Sequence, residues 1–249
     1  MAAQPNVLAV IPARGGSKRL PRKNILSLAG HPVIAYTIKA AAEAKRLTHW
    51  LVSTDDEEIA AVARAYGAPV PFLRPAAIAG DKDRNSAVIR HAMDWMERTH
   101  RLRYDILMLL QPTCPIRKSA HIDEAVELLW ASELDTLASV KGPILKRDPY
   151  IKAIRNGVLE PYNPAEDKKA WEPCYIYNAS IYAMKRDFFL RENRFVSQRS
   201  VPLLMDRFHS ADIDEAIDLL VAELYVQRLG LSPFASSGEQ APSVRAGGG

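Results

Sequence analysis

Residues 11–24, with the sequence IPARGGSKRLPRKN, constrain the fold and function of this 249-residue chain more than any other segment. They follow an apolar run over residues 7–11 that is typical of a buried strand. Two glycines, a serine hydroxyl and five basic side chains share a span without room for a helix. Glycines allow a positive φ and a close approach of backbone N–H groups to an anion, and arginine and lysine supply the countercharge. This segment, called the basic loop below, therefore predicts a phosphate-binding site.

The basic loop has two competing interpretations, a solvated basic surface and a contact with nucleic acid. It matches neither the G-x-x-x-x-G-K-[ST] of a P-loop nor the G-x-G-x-x-G of dinucleotide-binding folds. However, it leaves a buried N-terminal strand where open α/β sheets bind ligands, and Gly, Leu and Pro interrupt its charges. The chain has 33 basic and 29 acidic residues, and its net charge of +4 is too mild for a nucleic-acid-binding protein. We therefore expect a local anionic ligand and no nucleic-acid partner.

Composition argues against several other classes of protein. With 48% hydrophobic and 25% charged residues the chain is ordinarily globular, and its length allows one large α/β domain or two small ones. The cysteines, Cys114 and Cys174, are too few for a disulfide framework. A signal peptide needs a basic segment before an apolar one, and a membrane span needs about 18 consecutive apolar residues. The sequence has neither, so a soluble, cytoplasmic protein is expected, with no membrane partner.

The first 140 residues alternate between strand and helix patterns, which is the rhythm of a parallel α/β sheet. Strands are predicted over residues 7–11, 50–53, 70–73, 106–110 and 135–140, and the most apolar of them, 106–110, is predicted to be central. Helices are predicted to begin at Pro32, in a capping-box pattern at Thr54, at Ser86 and at Ser119. Their predicted buried faces are Ile34, Thr37, Ile38 and Ala41; Ile59, Val62, Ala63 and Tyr66; Ile89, Ala92, Met93 and Met96; and Ile122, Ala125, Val126 and Leu129.

Residues 141–206 break this alternation, because strand-like segments such as 174–184 replace helical periodicity. We interpret them as an inserted arm that suits self-association, with an extended lid as the alternative. Residues 210–215 resume the alternation, and a closing helix follows whose buried face is predicted to be Ile217, Leu220, Val221 and Leu224. One domain is thus predicted over residues 1–230. The tail, 231–249, is rich in Ser, Gly, Pro and Ala and is predicted to be disordered.

Two further segments carry chemistry. A polar, proline-stiffened turn over residues 111–117 follows the central strand, at a second place where a ligand is expected. Asp212 and Asp214 are two residues apart, which in an extended segment puts both carboxylates on one face. Such a pair suits Mg²⁺ bound together with substrate phosphates, whereas the alternative is an acidic helix N-terminus. A cation together with a basic loop describes a nucleoside triphosphate site.

Five motifs in this order resemble those of the acylneuraminate cytidylyltransferases, also called CMP-sialic acid synthetases. They are IPARGGSKRLPRKN at 11–24, LRPA at 73–76, LQPT at 110–113, YNASIY at 177–182 and DID at 212–214, and the resemblance spans residues 7–228. It implies a three-layer, Rossmann-like nucleotidyltransferase fold with a mostly parallel sheet and an inserted dimerisation arm. The implied reaction is the Mg²⁺-dependent transfer of CMP from CTP to the anomeric hydroxyl of a 2-keto-3-deoxy sugar acid, with pyrophosphate leaving. A homodimer is also implied, in which the arm completes the sugar site of the partner.

The resemblance also implies roles for individual residues. The triphosphate would be held by Arg14, Gly15, Gly16, Ser17, Lys18 and Lys23, with Asn24 positioning the nucleotide. The cytidine pocket would be lined by Arg74 and by Asn85 or Ser86. The acceptor would be met by Gln111, Lys152, Tyr177 and Asn178. Asp212 and Asp214 would bind the metal, and the catalytic residues would be Arg14, Lys23 and Asp214. Transfer at phosphorus needs no covalent nucleophile, and Cys114 is interpreted as a small buried residue.

The sequence departs from the family pattern on the acceptor side. Ile176 stands where many sialic acid enzymes have an arginine, and Ala179 replaces a glycine. An apolar side chain cannot pair with a carboxylate, which leaves Lys152 or Lys146 as alternative cations. The acceptor is then sialic acid held differently, or legionaminic, pseudaminic or another nonulosonic acid. Two further alternatives are a nucleotidyltransferase acting on another acceptor, such as 3-deoxy-octulosonate, and a catalytically silent nucleotide- or RNA-binding protein.

Overall fold

The computed structural model describes residues 4–78, 85–144, 151–161 and 173–233. The strands in these ranges are Val7–Pro12 (β1), Ser27–Leu28 (β2), His31–Pro32 (β3), His49–Ser53 (β4), Ile106–Leu110 (β5), Thr136–Ile144 (β6), Ile151–Arg155 (β7), Val158–Pro161 (β8), Cys174–Lys185 (β9) and Val201–Leu204 (β10). The α-helices are Val33–Glu43 (α1), Glu57–Ala65 (α2), Asn85–His100 (α3), Ser119–Ala131 (α4), Arg186–Glu192 (α5) and Ala216–Leu229 (α6).

The main sheet has the strand order β10-β6-β9-β5-β1-β4. Strand β1 pairs in parallel with β4 and β5, and β10 pairs in parallel with β6. Strand β9 is antiparallel to both of its neighbours, β5 and β6. The predicted α/β class, the mostly parallel sheet and the central position of β5 are confirmed.

Helices cover both faces of the sheet, which gives three layers. Alternate residues of β1 face opposite sides: Ile11 packs in a core with α1, α2 and α4, whereas Val10 packs in a second core with α3 and α5. Both faces of the strand are buried, as expected for a parallel sheet covered by crossover helices. The carboxyl ends of β1, β4 and β5 consequently meet at one edge of the sheet, where the loops that follow them form the candidate site.

Two local predictions near this edge are wrong. Residues 70–73 form no strand and contribute a single parallel bridge, between Thr54 and Leu73. The prolines at 69 and 71 cannot donate to a ladder, which explains why a regular strand does not form. Helix α2 begins at Glu57, with Asp56 rather than Thr54 as its cap, because the Asp56 carboxylate accepts the N–H groups of Glu58 and Ile59. Asp55, in the turn between β4 and α2, contacts Gly15 and Arg74.

Helix α3 also differs in detail from its prediction. It includes Ser86, which was predicted to be its cap. Residues 79–84 precede this helix and lie outside the described residues.

The predicted arm over 141–206 is less separate than its sequence pattern suggests. Strands β9 and β10 belong to the main sheet, and within the described residues only the β7–β8 hairpin lies off its path, paired with β9. Helix α5 was not predicted. Residues 145–150 and 162–172 of the predicted arm lie outside the described residues.

Helix α6 buries a different face from the predicted one. Ala222 and Val226 are its buried residues, and they pack with Val33 of α1 and Ile213. The four residues that were predicted to be buried are exposed, with relative exposures of 62% for Ile217, 58% for Leu220, 37% for Val221 and 64% for Leu224. Both faces of this helix carry apolar residues, so periodicity could not decide which face packs inward.

The chain continues beyond α6 for a few described residues. The N–H of Leu231 donates to the carbonyl of Val226, and its side chain packs against the core, although it belongs to the segment that was predicted to be disordered. Residues 234–249 of that predicted tail lie outside the described residues. None of the helices in the described ranges combines the length and the apolar character needed to cross a membrane.

Candidate active site

A cavity of about 630 Å³ lies at the carboxyl edge of the sheet. It is bounded by the basic loop, by the segments that follow β5 and the Thr54–Leu73 bridge, by the first turn of α3, and by the Asp212–Asp214 segment before α6. The lining residues are Pro12, Arg14, Ser17, Lys18, Arg19, Leu20, Lys23, Asn24, Arg74, Ile78, Asn85, Val88, Gln111, Pro112, Thr113, Ala179, Asp212 and Asp214. Elements far apart in sequence thus converge on one site.

The cavity brings together most of the site residues that the sequence indicated. Those that line it are Arg14, Ser17, Lys18, Lys23, Asn24, Arg74, Asn85, Gln111, Asp212 and Asp214. Those outside its lining are Gly15, Gly16, Ser86, Lys152, Tyr177 and Asn178. Lys146 lies outside the described residues.

The glycines of the basic loop work differently from the prediction. Neither Gly15 nor Gly16 has a φ in the left-handed region, and the residue of the loop that does is Arg22, at 56°. Gly15 is instead required for space, because a Cβ at this position would lie 2.5 Å from Oδ2 of Asp56. The loop therefore packs directly against the turn between β4 and α2.

Four of the five cations of the basic loop line the cavity, and Arg22 instead pairs with Glu58 of α2 and with Asp56, the cap of that helix. The loop is braced by Asn24, whose Nδ2 donates to the carbonyl of Arg14 over 3.1 Å. The Oδ1 of Asn24 is buried and has no hydrogen-bond partner within the described residues. A buried acceptor without a partner is costly, so this oxygen marks a place for a ligand donor.

Asp212 and Asp214 share the cavity but differ in environment. Oδ1 of Asp212 accepts the Thr113 hydroxyl at 2.8 Å, and burial raises the pKa of the Asp212 carboxyl. Burial would also raise the pKa of Asp214, but Lys23 and Arg19 outweigh it and hold this pKa below its usual value. Lys23 Nζ lies 2.9 Å from Oδ1 of Asp214, and Arg19 Nη1 lies 3.1 Å from Oδ2.

This pair of carboxylates suits a hard divalent cation that a ligand also holds. Within the described ranges there is no cluster of three or more His, Cys, Asp and Glu side chains that would bind a metal without a ligand. Mg²⁺ in nucleotide enzymes uses one or two carboxylates and completes its shell with phosphate oxygens and water. Asp212 and Asp214 supply such oxygens in the cavity wall, where Asp214 lies next to the loop cations Lys23 and Arg19.

The end of the cavity near α3 is organised by Arg74. Its side chain is only 4% exposed, yet it lines the cavity. Nη2 of Arg74 donates to Oδ1 of Asp55 over 2.8 Å, and Nε is buried without a partner among the described residues. Asn85 lies at the same end and also lines a neighbouring cavity of about 370 Å³, together with Ser86 and residues 193–196.

The end of the cavity near β9 is lined by Gln111 and Ala179. The carbonyl of Gln111 accepts a hydrogen bond from the buried guanidinium of Arg117, which also donates to the Ser180 carbonyl and the Thr37 hydroxyl. Burial lowers the pKa of Arg117 to about 10. The loop after β5 is thereby tied to α1 and β9, and Gln111 is set on a rigid support.

Three predicted acceptor contacts do not reach the cavity of the described chain. The side chain of Asn178 is buried, accepting the Ser139 hydroxyl and donating to Ser210. Lys152 Nζ lies 5.9 Å from the centroid of the Tyr177 ring, in a cation–π arrangement. Asn178 thus holds strands together, and Lys152 and Tyr177 form a pair on the β7–β9 surface.

Several residues at the site were not assigned roles from the sequence. Arg19 and Thr113 both lie inside quoted motifs, so their motif positions were the available signal. Asp55 was interpreted as part of a capping box, and only the fold reveals that it contacts both Gly15 and Arg74. Cys114 is fully buried, and burial raises its pKa, which agrees with its interpretation as a packed residue and not a nucleophile.

Comparison with known proteins identifies the family. The cytidylyltransferase family pattern matches residues 8–229. The CMP-N,N'-diacetyllegionaminic acid synthase of Legionella pneumophila is 38% identical over 224 residues, covering 87% of this chain and 94% of that protein. The N-acylneuraminate cytidylyltransferase of Escherichia coli is 33% identical over 233 residues, covering 87% of this chain and 51% of that protein.

A solved structure supports the same fold. The CMP:2-keto-3-deoxy-manno-octonic acid synthetase complexed with CTP superimposes with a TM-score of 0.69, over 90% of this chain and 99% of that one, at 17% identity. The three-layer nucleotidyltransferase architecture is therefore confirmed. By its sequence pattern, its relatives and its fold, the chain belongs to the cytidylyltransferase family and, within it, to the acylneuraminate cytidylyltransferases that its motifs resembled.

Proposed function

We propose that this protein transfers CMP from CTP to the anomeric hydroxyl of a nonulosonic, sialic-acid-like sugar acid and releases pyrophosphate. The observation that carries the proposal is that four loop cations and the carboxylates of Asp212 and Asp214 line one cavity. A triphosphate needs the first group, and a phosphate-bound cation needs the second. The relatives named for CMP-sugar synthesis span nearly the whole chain.

The nucleotide occupies the part of the cavity between the basic loop and Arg74. Arg14, Ser17, Lys18 and Lys23 hold the triphosphate through charge-assisted hydrogen bonds. Nε of Arg74, which has no partner among the described residues, donates to the cytosine ring, whose O2 and N3 both accept hydrogen bonds. Oδ1 of Asn24, which also has no partner within the described ranges, accepts a hydrogen bond from the nucleotide. Both buried atoms thus gain partners when CTP binds.

Mg²⁺ is the cofactor that we propose for this site, held by Asp212 and Asp214. When bound, it neutralises charge on the phosphate oxygens and on the departing pyrophosphate. Arg14 and Lys23 also neutralise charge on the phosphate oxygens, because both side chains line the same cavity as the carboxylates.

The chemical step is an in-line displacement at the α-phosphorus. The anomeric oxygen forms a new bond to phosphorus, the bond to the β-phosphate oxygen breaks, and the hydroxyl proton passes to one of the aspartates. Positioning and electrostatic stabilisation carry such a reaction, and no covalent enzyme intermediate is required. Gln111, held by Arg117, orients the acceptor for this attack.

The proposed oligomer is a homodimer, in which the β7–β8 hairpin of one protomer reaches the acceptor site of the other. Lys152 on β7 then supplies a cation for the acceptor carboxylate. The exposed apolar residues Ile217, Leu220 and Leu224 on α6 offer additional surface for self-association. The free, buried cysteines fit the cytoplasm as the compartment in which CTP is used.

The test is pyrophosphate release with CTP, Mg²⁺ and a panel of 2-keto-3-deoxy sugar acids. The panel contains sialic, legionaminic, pseudaminic and 3-deoxy-manno-octulosonic acids, each measured against CTP alone. We expect stimulation by at least one nonulosonic acid and little by the octulosonate. No stimulation by any acid would reject the proposed acceptor class, and salt-sensitive RNA binding without turnover would favour the non-catalytic alternative.

A further inference from the structure

The turn between β4 and α2 touches both loops that the proposed function assigns to the nucleotide. Oδ1 of Asp55 accepts the N–H of Gly15 over 3.3 Å and Nη2 of Arg74 over 2.8 Å. The backbone N–H of Arg74 also donates to the carbonyl of Thr54 over 2.7 Å. One carboxylate oxygen therefore joins the basic loop to Arg74.

This junction is tightly enclosed. The side chain of Asp55 is 25% exposed and that of Arg74 only 4%, so the pair is shielded from solvent more than a surface ion pair. Next to it, the contact of Gly15 with Asp56 leaves no room for a side chain. Neither loop can shift without breaking a hydrogen bond to Asp55 or clashing with the turn.

The contact also decides which part of the guanidinium is available to a ligand. Because Asp55 engages Nη2, the orientation of the guanidinium is fixed, and its remaining N–H groups, among them the buried Nε, are left for the base. A donor fixed in this position suits N3 of cytosine, which accepts a hydrogen bond, and opposes N3 of uracil, which carries a hydrogen. A free arginine side chain would adopt other rotamers and discriminate less well between the two bases.

We propose that Asp55 is a positioning residue that couples the phosphate-binding loop to Arg74. It thereby fixes the position of the triphosphate site relative to the cytosine site. This rests on the proposed function, because it takes CTP as the ligand. Asp55 itself touches neither phosphate nor base, and it acts through the amide of Gly15 and the guanidinium of Arg74.

Equilibrium binding of CTP and UTP, measured by calorimetry without acceptor, tests this role separately from turnover. In Asp55→Asn we expect the Kd for CTP to rise about 10- to 100-fold, the range for losing a charge-assisted hydrogen bond. The Kd for UTP should change less, so the preference for CTP falls. Glu57→Gln removes the same charge two residues away, at an exposed position, and should leave both values unchanged.

A double-mutant cycle separates positioning from general destabilisation. If Asp55 acts through Arg74, replacing Asp55 in an Arg74→Ala background should change the CTP preference no further. In steady-state rates, Asp55→Asn should raise the KM for CTP and leave the KM for the acceptor within about twofold. If Asp55→Asn does not fold, Asp55→Glu keeps the charge, moves the carboxylate by one methylene and should show the same loss of preference.

The outcomes distinguish this inference from the proposed function. Wild-type protein that does not bind CTP would reject the proposed function itself. Wild-type protein that prefers CTP, with an Asp55→Asn variant of unchanged Kd values, would overturn the role of Asp55. An equal loss of affinity for CTP and UTP would also overturn this role, because the effect of Asp55 would then be limited to triphosphate binding by the basic loop.

Discussion

The two ends of the central cavity are built in different ways. The nucleotide end is formed largely by one continuous segment, the basic loop, and four of its five cations line the cavity. The acceptor end is formed by side chains from the loop after β5 and from β9, held by hydrogen bonds between elements far apart in sequence. Of the four acceptor contacts predicted, only Gln111 lines the cavity.

This difference explains why the nucleotide site is easier to recognise from the sequence than the acceptor site. A triphosphate is recognised by clustered charge on a short loop, so its site is largely local. A sugar acid is recognised by shape and by a few dispersed polar groups, so its site depends on tertiary structure and, in our proposal, on a second protomer. The nucleotide end is therefore expected to be less tolerant of substitution.

The largest expected effect comes from Asp214→Asn. The variant loses the carboxylate that pairs with Lys23 and that we assign to Mg²⁺, so turnover should fall about 100- to 1,000-fold. Pyrophosphate release measures the rate, and thermal melting checks that the variant is folded. The matched control is Glu215→Gln, which removes an adjacent exposed charge and should keep the wild-type rate. Wild-type activity in Asp214→Asn would reduce this residue to an ion-pair partner of the loop.

An intermediate effect is expected on the acceptor end. Lys152→Ala should raise the KM for the sugar acid about 10-fold and leave the KM for CTP unchanged, because its cation is assigned to the acceptor carboxylate across a dimer. Lys18→Ala is the matched variant at the nucleotide end. It should raise the KM for CTP and leave the KM for the sugar acid unchanged. Initial rates with each substrate varied in turn measure both constants. An unchanged acceptor KM in Lys152→Ala would indicate an acceptor site complete within one chain.

The smallest effect is expected from Ala179→Gly, which relieves strain at the acceptor end. Ala179 has a φ of 59°, in the left-handed region where an alanine costs about 1 kcal/mol. Glycine adopts this conformation without that cost but loses more entropy on folding, so we expect a net gain of about 0.5 kcal/mol in the free energy of unfolding. Denaturant unfolding measures the change. A clear loss of stability would mean that the methyl group contributes more through packing than it costs.

Much of the fold could be predicted from sequence because its patterns are local. Residues 106–110 were predicted to form the central strand because continuous apolar residues indicate burial on both faces, and they form β5. The wrong predictions concern features that depend on tertiary packing and not on a local pattern. Helix α6 has apolar residues on both faces, so periodicity could not show that Val226 is buried and Ile217 is exposed.

The candidate site shows the same division. The spacing of Asp212 and Asp214 predicted a shared face, and both residues line the cavity. In contrast, the contact of Asp55 with Arg74 depends on how the turn after β4 packs, and the burial of Asn178 depends on Ser139 and Ser210. A capping pattern and a family motif could not distinguish these structural roles from ligand binding.

The most direct test of the account follows both products of one reaction by ³¹P NMR. Protein, CTP, Mg²⁺ and a nonulosonic acid that stimulates turnover should give pyrophosphate and a new phosphodiester, the CMP-sugar, in equal amounts. Free CMP and inorganic phosphate should form much more slowly than pyrophosphate and the CMP-sugar. Consumption of CTP to CMP or inorganic phosphate without a phosphodiester product would contradict cytidylyl transfer to the sugar.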